Sequence, residues 1–136
     1  MSTVESYERV LLALAIWREA RGQSREAKAA VKHVVLNRAA NPRGPFAKCP
    51  DVVSNILQPA QFSSFNRGDA NAAVLPNPRN PGDWKAWLEC CAVVDEDQPD
   101  PVDGSNYYFS VDIPAPSWAA PSKFIRQIGA FRFFRL

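Results

Sequence analysis

The chain has 136 residues, enough for one domain, 1–136, built around one hydrophobic core. Hydrophobic residues make up 46%, which excludes an intrinsically disordered chain, and the net charge of +2 comes without a long basic run, so no nucleic-acid partner is expected. Three cysteines, two of them adjacent, do not make a disulfide framework. Cys90 and Cys91 read as small buried hydrophobes, and one pair involving Cys49 stays open.

Met1 to Arg9 is polar, with no basic region leading into an apolar run and a cleavage site. Val10 to Trp17 is too short to span a bilayer, so no membrane insertion is expected. Val4 to Ala20 reads as a helix. Tyr7, Val10, Leu11, Leu14 and Trp17 form one apolar stripe, and Leu12 and Ile16 fall on a second face that Glu19 continues. Gly22 is expected to stop this helix. Ser24 caps a second helix reaching about Arg38, with Glu26 in its first turn and Ala27, Ala30, Val31, Val34 and Val35 on its apolar face.

Asn41 to Pro45 makes a loop, and Asp51 caps a short third helix through Leu57. All twelve prolines follow residue 40, so a loop-rich second half is expected; Gln58 to Pro81 is long for an irregular segment, which points to function. Asp83 is expected to cap a fourth helix, with Trp84, Trp87, Leu88, Cys91 and Val94 facing inward. The acids and prolines of Asp95 to Asp103 end it and read as a solvated turn. Asn106 to Val111 and the segment around Phe131 to Phe133 are β-prone. The expectation is a small α+β domain, mostly helical, with a short C-terminal β-hairpin.

His33 is the one histidine. It has no partner at metal-ligand spacing, and a Ser–His or Cys–His nucleophile would have to use it. This argues against a zinc amidase and a papain-type peptidase, and neither metal nor cofactor is expected. Carboxylates remain. Glu19 follows an apolar run on a largely buried helix, where partial desolvation suits a general acid. Spacing alone leaves open a second reading, an exposed helix-end glutamate paired with Arg18 or Arg21.

Ala15 to Gly22, Val34 to Arg38, Leu57 to Ser63, Asn106 to Phe109, Trp118-Ala119 and Ile128-Gly129, in that order, resemble the SleB-type cell wall hydrolases, named for spore-cortex-lytic enzymes. The resemblance implies a fold related to the lysozyme-like lytic transglycosylases, with Glu19 of the Glu-Ala-Arg-Gly motif as the catalytic residue. It also puts Gln61, Phe62, Ser63, Asn66, Tyr107, Tyr108 and Trp118 forward as substrate-binding residues. The chain departs from the family pattern at Gln23, where glutamate is common, and at Ala27, Lys28 and Phe131.

Glycosidases usually pair two carboxylates, and beside Glu19 only Glu26 competes, as a first-turn helix acid. One acid suffices if the substrate supplies the nucleophile. The resemblance therefore implies cleavage of peptidoglycan glycan strands between N-acetylmuramic acid and N-acetylglucosamine, as a lytic transglycosylase giving 1,6-anhydromuropeptides. A hydrolytic muramidase and a non-catalytic wall-binding or virion structural domain are the alternatives. A monomer is expected, acting in the cell wall or periplasm after delivery by a phage pore, a phage tail or another route.

Overall fold

The computed structural model describes residues 3–42, 44–48, 51–58 and 74–136. Among these residues are four helices: α1 (Thr3–Ala20), α2 (Arg25–Ala40), α3 (Val52–Leu57) and α4 (Pro81–Asp95). A three-stranded antiparallel sheet follows: β1 (Tyr107–Ser110), β2 (Phe124–Ile128) and β3 (Phe131–Phe134), with β3 central. The α+β class holds, and the single hairpin expected at the C-terminus is extended by one strand.

Local capping chemistry sets the helix starts. The Ser24 hydroxyl accepts from the Ala27 N–H at 3.1 Å, and the Asp51 carboxylate accepts from the Ser54 N–H at 2.8 Å. Both satisfy donors that a first helical turn leaves open. At α4 the cap is Asn80, not Asp83: the Asn80 side chain accepts from the Asp83 N–H at 3.0 Å, and Pro81 occupies the first turn, where its missing N–H costs nothing. Gly22 does not end α1 through a left-handed conformation; among the described residues the left-handed glycines are Gly44, Gly104 and Gly129. The chain turns between Ala20 and Ser24, with the Gln23 N–H bonded to the Ala20 carbonyl at 2.9 Å.

Helices α1, α2 and α4 pack on one another, and α3 packs on α1 and α2. Leu12, Ala13, Ile16, Trp17 and Ala20 carry α1 into the core, whereas Tyr7 and Val10, expected to face inward, are 51% and 57% exposed. On α4 the deepest residues are Cys90 and Val93; Trp87, Cys91 and Val94 are partly buried, and Trp84 and Leu88 face out. The rotation follows from α2. Lys28 Nζ donates to Glu89 at 2.7 Å, and buried Lys32 Nζ donates to the carbonyls of Val93 at 3.0 Å and Glu96 at 2.7 Å and to Gln98 Oε1 at 2.6 Å. These bonds turn Glu89, Cys90 and Val93 toward α2. Burial pushes the Lys32 ammonium below its ordinary pKa, against the opposing charges of Asp97, Glu96 and Asp95. Burial likewise raises the Cys90 thiol to about 11, which suits a small hydrophobe, not a nucleophile. Cys49 lies outside the described residues.

The acidic run after α4 is more than a solvated turn. Asp95 pairs with Arg9, and Glu96 with Arg25. Asp100 accepts from the N–H groups of Val102 and Gly104, each at 2.8 Å, and from Asn37 Nδ2 at 3.0 Å. Burial raises the Asp100 pKa, but these bonds and the charge of His33 outweigh it and hold the carboxyl below its ordinary value of 3.8. A depressed native pKa gives stability that is present above the unfolded value and lost as pH falls through the native one. Asp100→Asn is therefore expected to cost about 1–2 kcal/mol at neutral pH, with the gap to wild type closing as pH falls below the ordinary carboxyl value of 3.8. Thermal melts across that range check it, and an equal gap at both ends would refute it.

Phe131 and Phe133 point from β3 into the helical core, and Arg132 and Phe134 point the other way. Phe134 is nevertheless buried, because residues 111–123 fold over the outer face. Trp118, Phe124 and Phe109 surround it, with ring centroids 5.4, 5.5 and 5.7 Å away. The sheet is thus covered on both faces, and each buried aromatic ring contributes about 1.5–3 kcal/mol.

Candidate active site

Glu19 sits in the last turn of α1, partly buried, two residues after the fully buried Trp17 and three after Ile16. Two side chains from distant parts of the chain share its electrostatic surroundings. Tyr108 comes from the core-facing side of β1, its ring 5.3 Å from Phe131 and 5.6 Å from Phe133. Arg38 comes from the last turns of α2. Burial raises the Tyr108 hydroxyl well above the ordinary tyrosine pKa, the negative charge of Glu19 raises it further, and Arg38 opposes both. The phenol therefore stays protonated around neutral pH, a neutral group within electrostatic reach of the carboxyl.

Arg38 is 4% exposed, and desolvation pushes it down to about 10, against the raising effects of Tyr108, Tyr107 and Glu19. It remains charged at neutral pH. Its Nε donates to the Asn106 carbonyl at 2.7 Å, and its guanidinium lies over Phe46 at 4.3 Å and Tyr107 at 5.6 Å. The cation is thus fixed in orientation by α2, by the Gly44–Phe46 turn and by the start of β1. Arg38 was not among the expected site residues. Its signal was available, since it continues the Val31, Val34, Val35 stripe at helical spacing, where a charged residue is unusual.

The two arginines beside Glu19 in sequence turn elsewhere. Arg18 Nε donates to the Val74 carbonyl at 3.1 Å. The Arg21 guanidinium stacks over Trp17 at 4.4 Å and donates to the Trp17 carbonyl at 3.4 Å.

Tyr107 and Trp118 do not share Tyr108's face of the sheet. Their rings meet on the outer face, 4.9 Å apart, with Phe46 and Phe109 as further neighbours. That placement gives both a packing role. Gln61, Phe62, Ser63 and Asn66 lie outside the described residues. Among the described residues no cluster of three or more His, Cys, Asp or Glu side chains could hold a metal ion, and no helix is long and apolar enough to cross a membrane.

One contact ties the turn after Glu19 to the sheet. Gln23 Oε1 accepts from the Ala130 N–H at 3.2 Å, in the two-residue turn between β2 and β3. Gly129 opens that turn with φ +56°, a left-handed position, and a Cβ there would lie 2.7 Å from Gln23 Oε1. Gly129→Ala is expected to cost about 1–3 kcal/mol, read as a lower urea midpoint at unchanged slope; a variant as stable as wild type would show that the clamp is loose.

The profile of the Cell Wall Hydrolase family matches residues 22–134, beginning three residues after Glu19. No curated protein matches the chain. Among solved structures, the chain is similar to the catalytic domain of the Bacillus cereus SleB protein, with 26% identity and a TM-score of 0.66, covering 96% of this chain and 91% of that one. It also shares the fold of the catalytic domain of a germination-specific lytic transglycosylase, SleB from Bacillus anthracis, with 24% identity and a TM-score of 0.68, covering 99% and 97%. The chain belongs to the Cell Wall Hydrolase family and is a peptidoglycan-cleaving enzyme.

Proposed function

We propose that the protein is a lytic transglycosylase that cuts peptidoglycan between N-acetylmuramic acid and N-acetylglucosamine, with Glu19 as its single acid and base. The observation that carries this reading is the electrostatic coupling of Glu19, a partly buried carboxyl at the end of α1, to the neutral phenol of Tyr108 and to the cation of Arg38, which α2 and the start of β1 hold in orientation. Glu19 protonates the glycosidic oxygen as the bond to the anomeric carbon breaks. The C6 hydroxyl of the muramic acid then attacks that carbon, and Glu19 takes the hydroxyl proton. The carboxyl ends the cycle protonated, as it began, and the product carries a 1,6-anhydro ring. Tyr108 donates a hydrogen bond near the reacting carboxyl, and Arg38 holds that side of the site in register.

No second carboxylate is needed in this scheme. Glu26, the acid of α2, is exposed in its first turn, where it favours the helix dipole. Incubating purified peptidoglycan with the protein and weighing the soluble fragments by mass spectrometry tests the reading. Anhydro-muropeptides are expected; reducing-end muropeptides alone would replace transglycosylation with hydrolysis.

A further inference from the structure

The outer face of the sheet holds a cavity of about 290 Å³ that the proposed chemistry does not use. Phe109, Phe124 and Phe134 line one part of it, and Ala115, Ala119 and Pro121 another. Arg132 completes the lining. Its guanidinium lies 4.6 Å over the Phe124 ring, and its Nε is buried with no hydrogen-bond partner among the described residues. It forms no ion pair there either. A guanidinium stacked on one ring keeps its donor edge for a planar anion, and a carboxylate fits that edge with two parallel bonds.

The surrounding charge favours the same ligand. Residues 113–136 contain Lys123, Arg126, Arg132 and Arg135 and no acid. The lining is also preset: Pro114, Pro116 and Pro121 fix φ along the covering segment that carries Ala115 and Ala119. Small apolar walls beside a cation suit a carboxylate attached to a carbon that bears a methyl-sized group.

We propose that this cavity binds the free carboxylate of a short peptide ending in a small aliphatic residue, the kind of end that a peptide stem of peptidoglycan presents. The carboxylate chemistry stands on Arg132 and the cavity; naming the stem as its source rests on the proposed function. The site lies on the opposite face of the sheet from Tyr108, so it holds the wall polymer without touching the reacting atoms.

The test titrates the whole protein with N-acetyl-alanyl-alanine and with its C-terminal amide, following backbone amide shifts of Ala115 and Ala119 by NMR. The acid is expected to bind at least about ten-fold more tightly than the amide. Arg132→Gln should remove that preference, and Ala115→Phe, at an exposed position where folding is secure, should block both ligands by filling the cavity. Equal binding of acid and amide, or wild-type affinity for the acid in both variants, overturns the proposal. Glycan cleavage assayed in parallel separates the two readings. Acid-selective binding by a protein that cuts no glycan overturns the proposed function and leaves the carboxylate site standing. Cleavage without acid-selective binding does the reverse.

Discussion

Glu19→Gln is expected to reduce peptidoglycan cleavage by about 1,000-fold or more while leaving the thermal unfolding transition within about 1 kcal/mol of wild type. The amide keeps the size of the carboxyl and much of its hydrogen bonding, but it can neither give nor receive the proton on which both half-reactions depend. General acid–base groups contribute roughly 100- to 10,000-fold, and here one group serves both steps, so the upper part of that range applies. Stability should hold because Glu19 is only partly buried, and Tyr108 and Arg38 are fixed by contacts of their own. Release of soluble wall fragments by the two proteins at equal concentration is the measurement. A folded variant that releases them at the wild-type rate would remove Glu19 from the mechanism.

Lys32→Ala is expected to destabilise the fold by about 3 kcal/mol, the largest single loss of stability foreseen outside the apolar core. Its ammonium, 6% exposed with the rest of the residue, serves three acceptors at the end of α4. The carbonyls of Val93 and Glu96 belong to the last turn and cap of that helix, where no backbone donor follows to satisfy them. Removing the side chain leaves the Val93 carbonyl with Gln98 Nε2 at 3.2 Å as its remaining donor, takes the ammonium from the Glu96 carbonyl and from Gln98 Oε1, and loosens the segment that leads to Asp100. Lys32→Met refills the space of the stem but not the donors, so it should recover less than half of the loss. Urea unfolding with matched slopes measures both; a loss below about 1 kcal/mol for alanine would mean that water replaces the ammonium without cost.

What could be read in advance followed the range of the interaction. Ser24 and Asp51 announced their helices because a cap acts within three residues. Asn80 and Asp83 both satisfy the rule for the start of α4, and the choice fell to Asn80 only because Pro81 can occupy the first turn after it. The inward face of α4 differs from the one its apolar pattern predicts, because Trp84 and Leu88 are apolar yet exposed, and the residues that decide the rotation, Lys28 and Lys32, reach across from α2. Strand β2 is hidden in the sequence for a different reason. A register irregularity between Phe124 and Arg126 breaks the two-residue alternation by which strands are recognised.

The candidate site divides along the same line. Glu19 was distinguishable as a carboxyl ending an apolar helix, but periodicity alone could not separate an acid facing a groove from one paired with Arg18 or Arg21. Its electrostatic coupling to Tyr108, far along the chain, follows only from family resemblance, because nothing local links α1 to β1. Tyr107 and Trp118 looked equivalent to Tyr108 as aromatic residues. The pleat separates Tyr107 from Tyr108, since adjacent residues of a strand point to opposite faces, and Trp118, in the segment after β1, packs against Tyr107 on the outer face. Arg132 gave no advance signal, because an alternating arginine in a strand normally faces water.

The central claim is that the substrate's own hydroxyl, not water, completes the cut that Glu19 starts. Digesting peptidoglycan in water enriched in oxygen-18 and weighing the fragments tests it directly. The expected result is anhydro-ended fragments whose new ends carry no heavy oxygen, absent when Glu19→Gln replaces wild type. One heavy oxygen at each new reducing end, or freed peptides beside intact glycan strands, would contradict it.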